Sequence, residues 1–261
     1  MPLVSAAIMP HSPVLIPTIG TAEIKDQIKN TISAINKIKT SIESLNPDTI
    51  IILSPRINKL RNAFAINISE FFEVNFIEFG DLKTKLNING DIGLALNFKQ
   101  DEKDMTISLI TKQKLDYETS IPLYFLAQNI KPKIIPIESS TLSLKDHFDF
   151  GKIIKEEICL SNKKIAVIAS SLLSHKSSTK SPLGYSEKAK DFDKNIIDFL
   201  QLKNRTGFLS MKNSLLREVG EYGIKPISIL LGILDEINYT TELECYESPF
   251  GIGFLTMNFK M

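Results

Sequence analysis

Apolar and polar positions follow two different periods along the chain. Short continuous apolar runs predict strands that are buried on both faces, whereas apolar residues spaced three and four apart predict amphipathic helices. Strands are predicted at Val4–Met9, Thr49–Leu53, Lys133–Ile137 and Ile165–Ser170. Helices are predicted at Ala22–Leu45, Ser120–Asn129, Leu144–Leu160, Ser186–Leu202 and Pro226–Ile237.

The order of these elements predicts the class of fold. A strand, a helix and a second strand in succession form a βαβ unit, which implies parallel strands. The same alternation continues downstream, and the last two segments, Tyr239–Glu247 and Gly253–Phe259, are predicted to form an antiparallel pair. The sequence contains neither an internal repeat nor a linker. It therefore predicts a single three-layer α/β/α domain over residues 1–261, with a mostly parallel, mixed central sheet.

Charge and composition exclude several classes of protein. The 31 basic side chains are balanced by 30 acidic ones, so no broad basic surface is expected for nucleic acid or an anionic membrane. The apolar N-terminal segment lacks a basic start and is interrupted by Pro10, Pro13 and Pro17, which argues against a signal peptide or a membrane helix. Cys159 and Cys245 have no CxxC partner, which favours reduced thiols. We expect a cytoplasmic protein without nucleic-acid or membrane partners.

Scarce residue types gather where three predicted strands end. The chain has only three histidines. His11 follows the first strand, His175 follows the strand Ile165–Ser170, and Arg56 follows the strand Thr49–Leu53. Sites in open α/β sheets lie beyond the carboxyl ends of the strands, so this pattern predicts a functional site, although a histidine in such a place also serves as a simple hydrogen-bonding residue.

Seven segments, among them AAIMPHSPVLIPTIG (Ala6–Gly20) and IASSLLSHK (Ile168–Lys176), resemble one protein family. The others are Pro47–Arg56, Ile121–Leu126, Ser181–Asp193, Glu218–Leu234 and Tyr246–Leu255. Together they resemble the class III extradiol ring-cleavage dioxygenases, the LigB-like family, and most closely its AmmeMemoRadiSam protein B and Memo-like branch. The segments run from the first predicted strand to the last, so the resemblance implies a LigB-like fold over essentially the whole chain.

The resemblance also implies where a metal site would lie. Active members of the family bind Fe(II) through two histidines and a carboxylate, and a further histidine acts as acid and base on the substrate. By position, His11 matches the first metal histidine and His175 the acid/base histidine. Arg56 stands where the second metal histidine is expected, and Tyr222 stands at the third ligand position, with Glu221 beside it as a candidate replacement ligand.

These exchanges change the expected chemistry. A guanidinium stays protonated and has no lone pair for a cation. A dioxygenase-like domain with a degraded iron site is therefore expected. No bound cofactor is expected, and Fe(II) or another divalent metal would be held only if Glu221 completes the site.

Three functional hypotheses follow from the altered site. In the first, it is non-catalytic or repurposed and binds a small anionic or aromatic ligand in a pocket with Arg56, Tyr117 and Lys176. Its alternative is an inert pocket, in which Arg56 pairs with Glu221 or Asp116. In the second, the chain is a partner of AMMECR1-like and radical-SAM proteins or forms a homo-oligomer. In the third, it is an active Fe(II) extradiol dioxygenase with a rearranged metal site.

Overall fold

The computed structural model, which describes residues 2–57, 60, 62–99 and 106–261, has ten strands and nine α-helices in that part of the chain. The strands are β1 (Leu3–Met9), β2 (Thr49–Ile57), β3 (Phe64–Asn67), β4 (Phe71–Phe76), β5 (Asp81–Asn89), β6 (Ile107–Ile110), β7 (Lys133–Ser139), β8 (Ile165–Ser170), β9 (Thr240–Glu247) and β10 (Phe254–Lys260). The helices are α1 (Ala22–Gln27), α2 (Lys29–Leu45), α3 (Ile92–Asn97), α4 (Tyr117–Leu126), α5 (Leu144–Leu160), α6 (Ala189–Gln201), α7 (Arg205–Leu209), α8 (Asn213–Val219) and α9 (Ile224–Ile233).

Eight of these strands form one mixed sheet, in the order β6-β3-β7-β2-β8-β1-β10-β9. The four central strands, β7, β2, β8 and β1, are parallel to one another. Strand β10 runs antiparallel to β1, with Ala6 opposite Phe259, and pairs in turn with β9. This confirms the mixed, mostly parallel α/β sheet and the antiparallel C-terminal pair that the sequence predicts.

The sheet is covered by helices on both faces, which gives the three predicted layers. Along β2, Ile51 and Leu53 face a core shared with α5, α6 and α9, whereas Ile50 and Ile52 face a second core shared with α2 and α4. Alternate side chains of a strand point to opposite faces. The continuous apolar run of β2 is therefore explained by burial on both sides.

Helices α5 and α9 cross at a pair of glycines. A Cβ on Gly232 would overlap the backbone carbonyl of Phe148 and lie 2.9 Å from the Cα of Gly151. All but one residue of α9 are buried, in agreement with the prediction that this apolar helix lies inside the protein. No helix within the described ranges has the length and apolar composition needed to cross a membrane.

The structure corrects several predicted boundaries, three of which bear on the candidate site or its approach. The helix predicted over Ala22–Leu45 is interrupted at Ile28, whose φ of −117° is not helical. The lysine of α1, Lys25, donates to two carbonyls of the loop after β1, which ties α1 to that loop. Helix α4 begins at Tyr117, three residues before the predicted start, because the Asp116 side chain accepts the backbone N–H of Thr119 at 2.9 Å.

The third correction concerns β2 and the stretch that follows it. Strand β2 was predicted to end at Leu53 but continues to Ile57, so Arg56 lies within the last residues of the strand rather than in the loop after it. The extension pairs with β7, where Ile57 lies opposite Ser139. Strands β3 to β6 and helices α3, α7 and α8 were not predicted.

Candidate functional site

Four segments meet beyond the carboxyl ends of β1 and β8. His11 follows β1, Ser170 ends β8, Glu118 lies in the first turn of α4, and Tyr222 lies just before α9. The backbone of Ser171 donates to Met9, and that of Leu172 donates to Tyr222. These bonds hold the loop after β8 between β1 and the segment that carries Tyr222.

The tautomer of His11 follows from its hydrogen bonds. Its side chain is fully buried, and Nδ1 lies 3.0 Å from the hydroxyl of Ser170. That hydroxyl donates its only proton to the carbonyl of Glu118, so it must accept the Nδ1 proton of His11. Burial, with a smaller contribution from His175, lowers the pKa of His11 to about 3. Its neutral ring therefore directs an Nε2 lone pair into the site, where that atom has no hydrogen-bond partner.

Glu118 is a buried carboxylate with two unlike oxygens. Its Oε1 accepts the hydroxyl proton of Tyr222 at 2.8 Å, whereas Oε2 has no hydrogen-bond partner. Burial, reinforced by the nearby charge of Asp116, raises the pKa of Glu118. The same burial and the charge of Glu118 raise the pKa of Tyr222, so its phenol stays protonated. The ring of Tyr222 stands edge-on to that of His11, with 5.5 Å between centroids.

Arg56 faces this cluster from the end of β2. Its Nε lies 3.8 Å from Asp116 Oδ2 and its Nη1 lies 3.9 Å from Glu118 Oε2. Partial burial disfavours the charged guanidinium, but Asp116 and Glu118, with Glu138, outweigh burial and raise the pKa of Arg56. Of the two pairings that the sequence leaves open for Arg56, the structure has the one with Asp116.

A cleft of about 500 Å³ opens on the other side of Arg56. Lys112 and Glu138 line it together with Arg56, and Lys112 Nζ lies 3.4 Å from Glu138 Oε1. Burial raises the pKa of Glu138, with Lys112 acting in the opposite direction. The Arg56 side chain is 45% exposed, so its guanidinium reaches both the buried carboxylates and the open cleft.

Two other predicted site residues border the cluster. Tyr117 lies between His11, with 6.2 Å between ring centroids, and Phe79, which it meets edge-on. Burial, with the charge of Glu118, raises the pKa of Tyr117 to about 12. His175 lies 6.5 Å from Tyr222 between ring centroids, and its Nδ1 contacts the carbonyl of Leu173 at 3.2 Å.

Lys176 and Glu221 lie farther from the centre of the cluster. Lys176 is half-buried and accepts the backbone N–H of Ser186 through its carbonyl. The carboxylate of Glu221 accepts the backbone N–H groups of Gly223 and Ile224 at 3.1 and 3.0 Å. Glu221 is therefore engaged at the start of α9, where a negative charge is favourable.

Sequence reasoning did not identify Glu118 or Ser170 as members of the site. The signal for Glu118 was its position two residues after Asp116, an N-capping residue type, which places it in the first turn of a helix. The third histidine, His147, is buried away from the site and contacts Phe64 edge-on. Within the part of the chain that the structure describes, no group of three or more histidine, cysteine, aspartate or glutamate side chains is placed to hold a metal ion.

Comparison with known proteins finds a matching family model, a curated relative and a solved structure with a similar fold. The family model described as the catalytic LigB subunit of aromatic ring-opening dioxygenase matches residues 5–257. The chain is 27% identical over 265 residues to protein CA_C1420 of Clostridium acetobutylicum, an alignment that covers 97% of this chain and 56% of that protein. The chain thus spans about half the length of this curated relative.

A solved structure agrees with the architecture. The crystal structure of the uncharacterized protein JW3007 from Escherichia coli K12 aligns with a TM-score of 0.64, over 98% of this chain and 99% of that one. The two sequences are 14% identical. At this identity the likeness concerns the fold, and it supports the predicted three-layer α/β/α arrangement.

Proposed function

The chain belongs to the family of the catalytic LigB subunit of aromatic ring-opening dioxygenases, and we propose that it is a repurposed member that binds a small anion through Arg56 rather than opening aromatic rings. Its assignment to the Memo-like branch stays a prediction from the sequence segments. The proposal depends on how the Arg56 guanidinium is placed between the nearby carboxylates and the adjacent cleft.

The main observation in favour of the proposal concerns the ion pairs and hydrogen bonds of the Arg56 guanidinium. Its two ion pairs are 3.8 and 3.9 Å long, beyond hydrogen-bond distance, and no other described residue accepts a hydrogen bond from it. A guanidinium presents its donors in a planar fork that matches a carboxylate or phosphate. An anion in the adjacent cleft would accept hydrogen bonds from this fork.

The donor atoms around His11 support the same proposal by their poor fit to Fe(II). His11 Nε2 and Glu118 Oε2 are two buried atoms without a hydrogen-bond partner, whereas the family site needs three protein ligands. Glu118 Oε2 faces the Arg56 guanidinium, and Oε1 already accepts the Tyr222 proton. A metal ion at this carboxylate would meet a fixed positive charge.

Thermal stability in the presence of anions tests the binding proposal. With an anion at ten times its dissociation constant, stabilisation of about 1.4 kcal/mol is expected, which raises Tm by about 3 °C for a chain of this size. Arg56→Gln should remove the shift, because it keeps a polar side chain but loses the charge. Phosphate, sulfate and acetate are compared with chloride at equal ionic strength.

The matched control is Arg217→Gln, which removes the charge of an exposed arginine on α8. It should retain the anion-dependent shift. If wild type shows no shift with any anion, or if both variants lose it equally, Arg56 does not form an anion site.

Anaerobic reconstitution with Fe(II) tests the loss of ring-opening chemistry. Wild type is expected to retain far less than one iron per chain after desalting and to give no yellow product from catechol or protocatechuate. Arg56→His removes the cation and supplies the imidazole expected at this family position, so it should retain more metal than Arg56→Gln, which removes the charge alone. One iron per wild-type chain together with ring-opened product would establish the alternative, an active dioxygenase with a rearranged site.

A partner role is a second proposal, favoured by the length of the curated relative. In CA_C1420 the matching region accounts for 56% of the protein, so in that protein it is joined to further polypeptide. We propose that this chain acts beside another protein, with AMMECR1-like and radical-SAM proteins as the candidates that the family resemblance implies. Co-purification with either one supports this role, and a monomer that retains neither of them in pull-downs contradicts it.

A further inference from the structure

The charged side chains that line the cleft beside Arg56 favour a ligand with a single negative charge. Arg56 and Lys112 contribute two positive charges to its lining, and Glu138 contributes a carboxylate. Asp116 and Glu118 approach Arg56 from its buried side. The lining of the cleft itself therefore carries a net charge of +1, which one negative charge on a ligand balances and a second would exceed.

Three aliphatic residues and two hydroxyl-bearing residues, Ser108 and Thr111, complete the lining of the cleft. Ile57, Leu60 and Ile110 line it, and Ile57 and Ile110 are half-buried. Pockets of 300–1,000 Å³ accommodate small organic ligands, so a cavity of about 500 Å³ is far larger than an inorganic ion requires. Branched apolar side chains beside a guanidinium favour a ligand whose charged end carries a hydrocarbon chain.

We propose that this cleft binds an aliphatic monocarboxylate, with the carboxylate on Arg56 and the hydrocarbon chain against Ile57 and Ile110. This inference rests on the proposed anion-binding function and narrows it to one class of ligand. Phosphate and other inorganic anions share the charged contact but leave the apolar wall exposed to water.

Binding of a homologous series of carboxylates tests whether the hydrocarbon chain of the ligand contacts the apolar side chains of the cleft. Dissociation constants for acetate, butyrate and hexanoate are measured by calorimetry, with inorganic phosphate and neutral hexanol as comparison ligands. Each methylene that is buried should tighten binding about fourfold, so hexanoate, with four more methylenes than acetate, should bind roughly 200-fold more tightly if all four are buried. Phosphate and hexanol should both bind more weakly than hexanoate.

Two variants locate the contacts. Arg56→Gln should abolish hexanoate binding. Ile110→Thr keeps a β-branched residue in β6 but removes apolar contact, so it should reduce the difference between hexanoate and acetate. Ile107→Thr is the matched control, because Ile107 lies in the same strand and packs against the core rather than lining the cleft.

The outcomes distinguish this inference from the proposed function. If phosphate binds more tightly than every carboxylate and Arg56→Gln abolishes that binding, the proposed anion site is supported. The assignment of its ligand as a monocarboxylate is then wrong. The same holds if all three carboxylates bind equally well. If hexanol binds as tightly as hexanoate, the monocarboxylate inference fails. If no anion binds, both the inference and the proposed function fail.

Discussion

Lowering the pH from 7 to 5 is expected to reduce the free energy of unfolding by about 2 kcal/mol through each of two buried histidines, His11 and His147. Both side chains are fully buried. Burial lowers the pKa of His11 to about 3 and that of His147 to about 4. Both rings therefore stay neutral in the folded protein at pH 5.

The sign of the effect follows from proton binding in the two states. An unfolded histidine titrates near pH 6.5, so below that pH the unfolded chain holds protons that the folded chain excludes. The stabilisation is present above pH 6.5 and is lost as the pH falls toward the folded pKa values. Glu118, Glu221 and Asp193 act in the opposite direction, because burial raises their pKa values and the folded state takes up their protons first.

Urea unfolding of wild type and His147→Gln at pH 7, 6 and 5 separates these contributions. The variant should lose about 2 kcal/mol less than wild type between pH 7 and 5, whatever its stability at pH 7. Asp193→Asn, which removes an opposing carboxylate, should show a steeper loss than wild type. Equal pH dependence in wild type and His147→Gln would contradict the assignment of His147 as a neutral buried group.

Gly232→Ala is expected to lower the free energy of unfolding by about 3 kcal/mol, because overpacking a core contact forces the surrounding backbone to move. The added Cβ would overlap the carbonyl of Phe148 and crowd the Cα of Gly151. Both neighbours are backbone atoms of α5, so no side-chain rotation relieves the contact. Helices α5 and α9 would have to separate over a fully packed face.

Gly93→Ala is the matched control for this effect. Gly93 also lies in a helix, α3, but a Cβ there meets no atom within 4 Å. Alanine is a better helix former than glycine, so this variant should be up to about 1 kcal/mol more stable than wild type. Both variants are compared by urea unfolding at pH 7. A similar stability change in both would mean that helix propensity, rather than the close crossing of α5 and α9, determines the result.

The sequence predicted the parts of the fold whose pattern is long and regular. Strands β1, β2 and β8 are continuous apolar runs, and α5 shows its helical spacing over the full predicted range Leu144–Leu160. The hairpin of β4 and β5 carries no such pattern, since β5 exposes most of its side chains. Strands β3 and β6 have four residues each, too few for a period to be distinguished.

The candidate site was predictable in outline because scarce residues follow strand ends. His11 and Arg56 were predicted at one edge of the sheet because both follow strands, whereas Tyr222 was a candidate only through the family resemblance. In the structure the Tyr222 ring meets His11 edge-on, and Glu118 contacts both Tyr222 and Arg56. Glu118 was missed because its role depends on tertiary contacts with Tyr222 and Arg56, which lie 104 and 62 positions away in the sequence. The tautomer of His11 likewise depends on a bond to Ser170, 159 residues away, which no local pattern encodes.

The antiparallel pairing of β10 with β1 has a consequence for how this protein can be joined to others. Because the two strands run in opposite directions, Leu3 and Lys260 lie at the same end of the sheet, away from the loop that carries His11. An affinity tag, a tether or a fused module at either terminus would therefore leave the protein on the side remote from Arg56. Such attachments can be varied freely without obstructing access to the cleft.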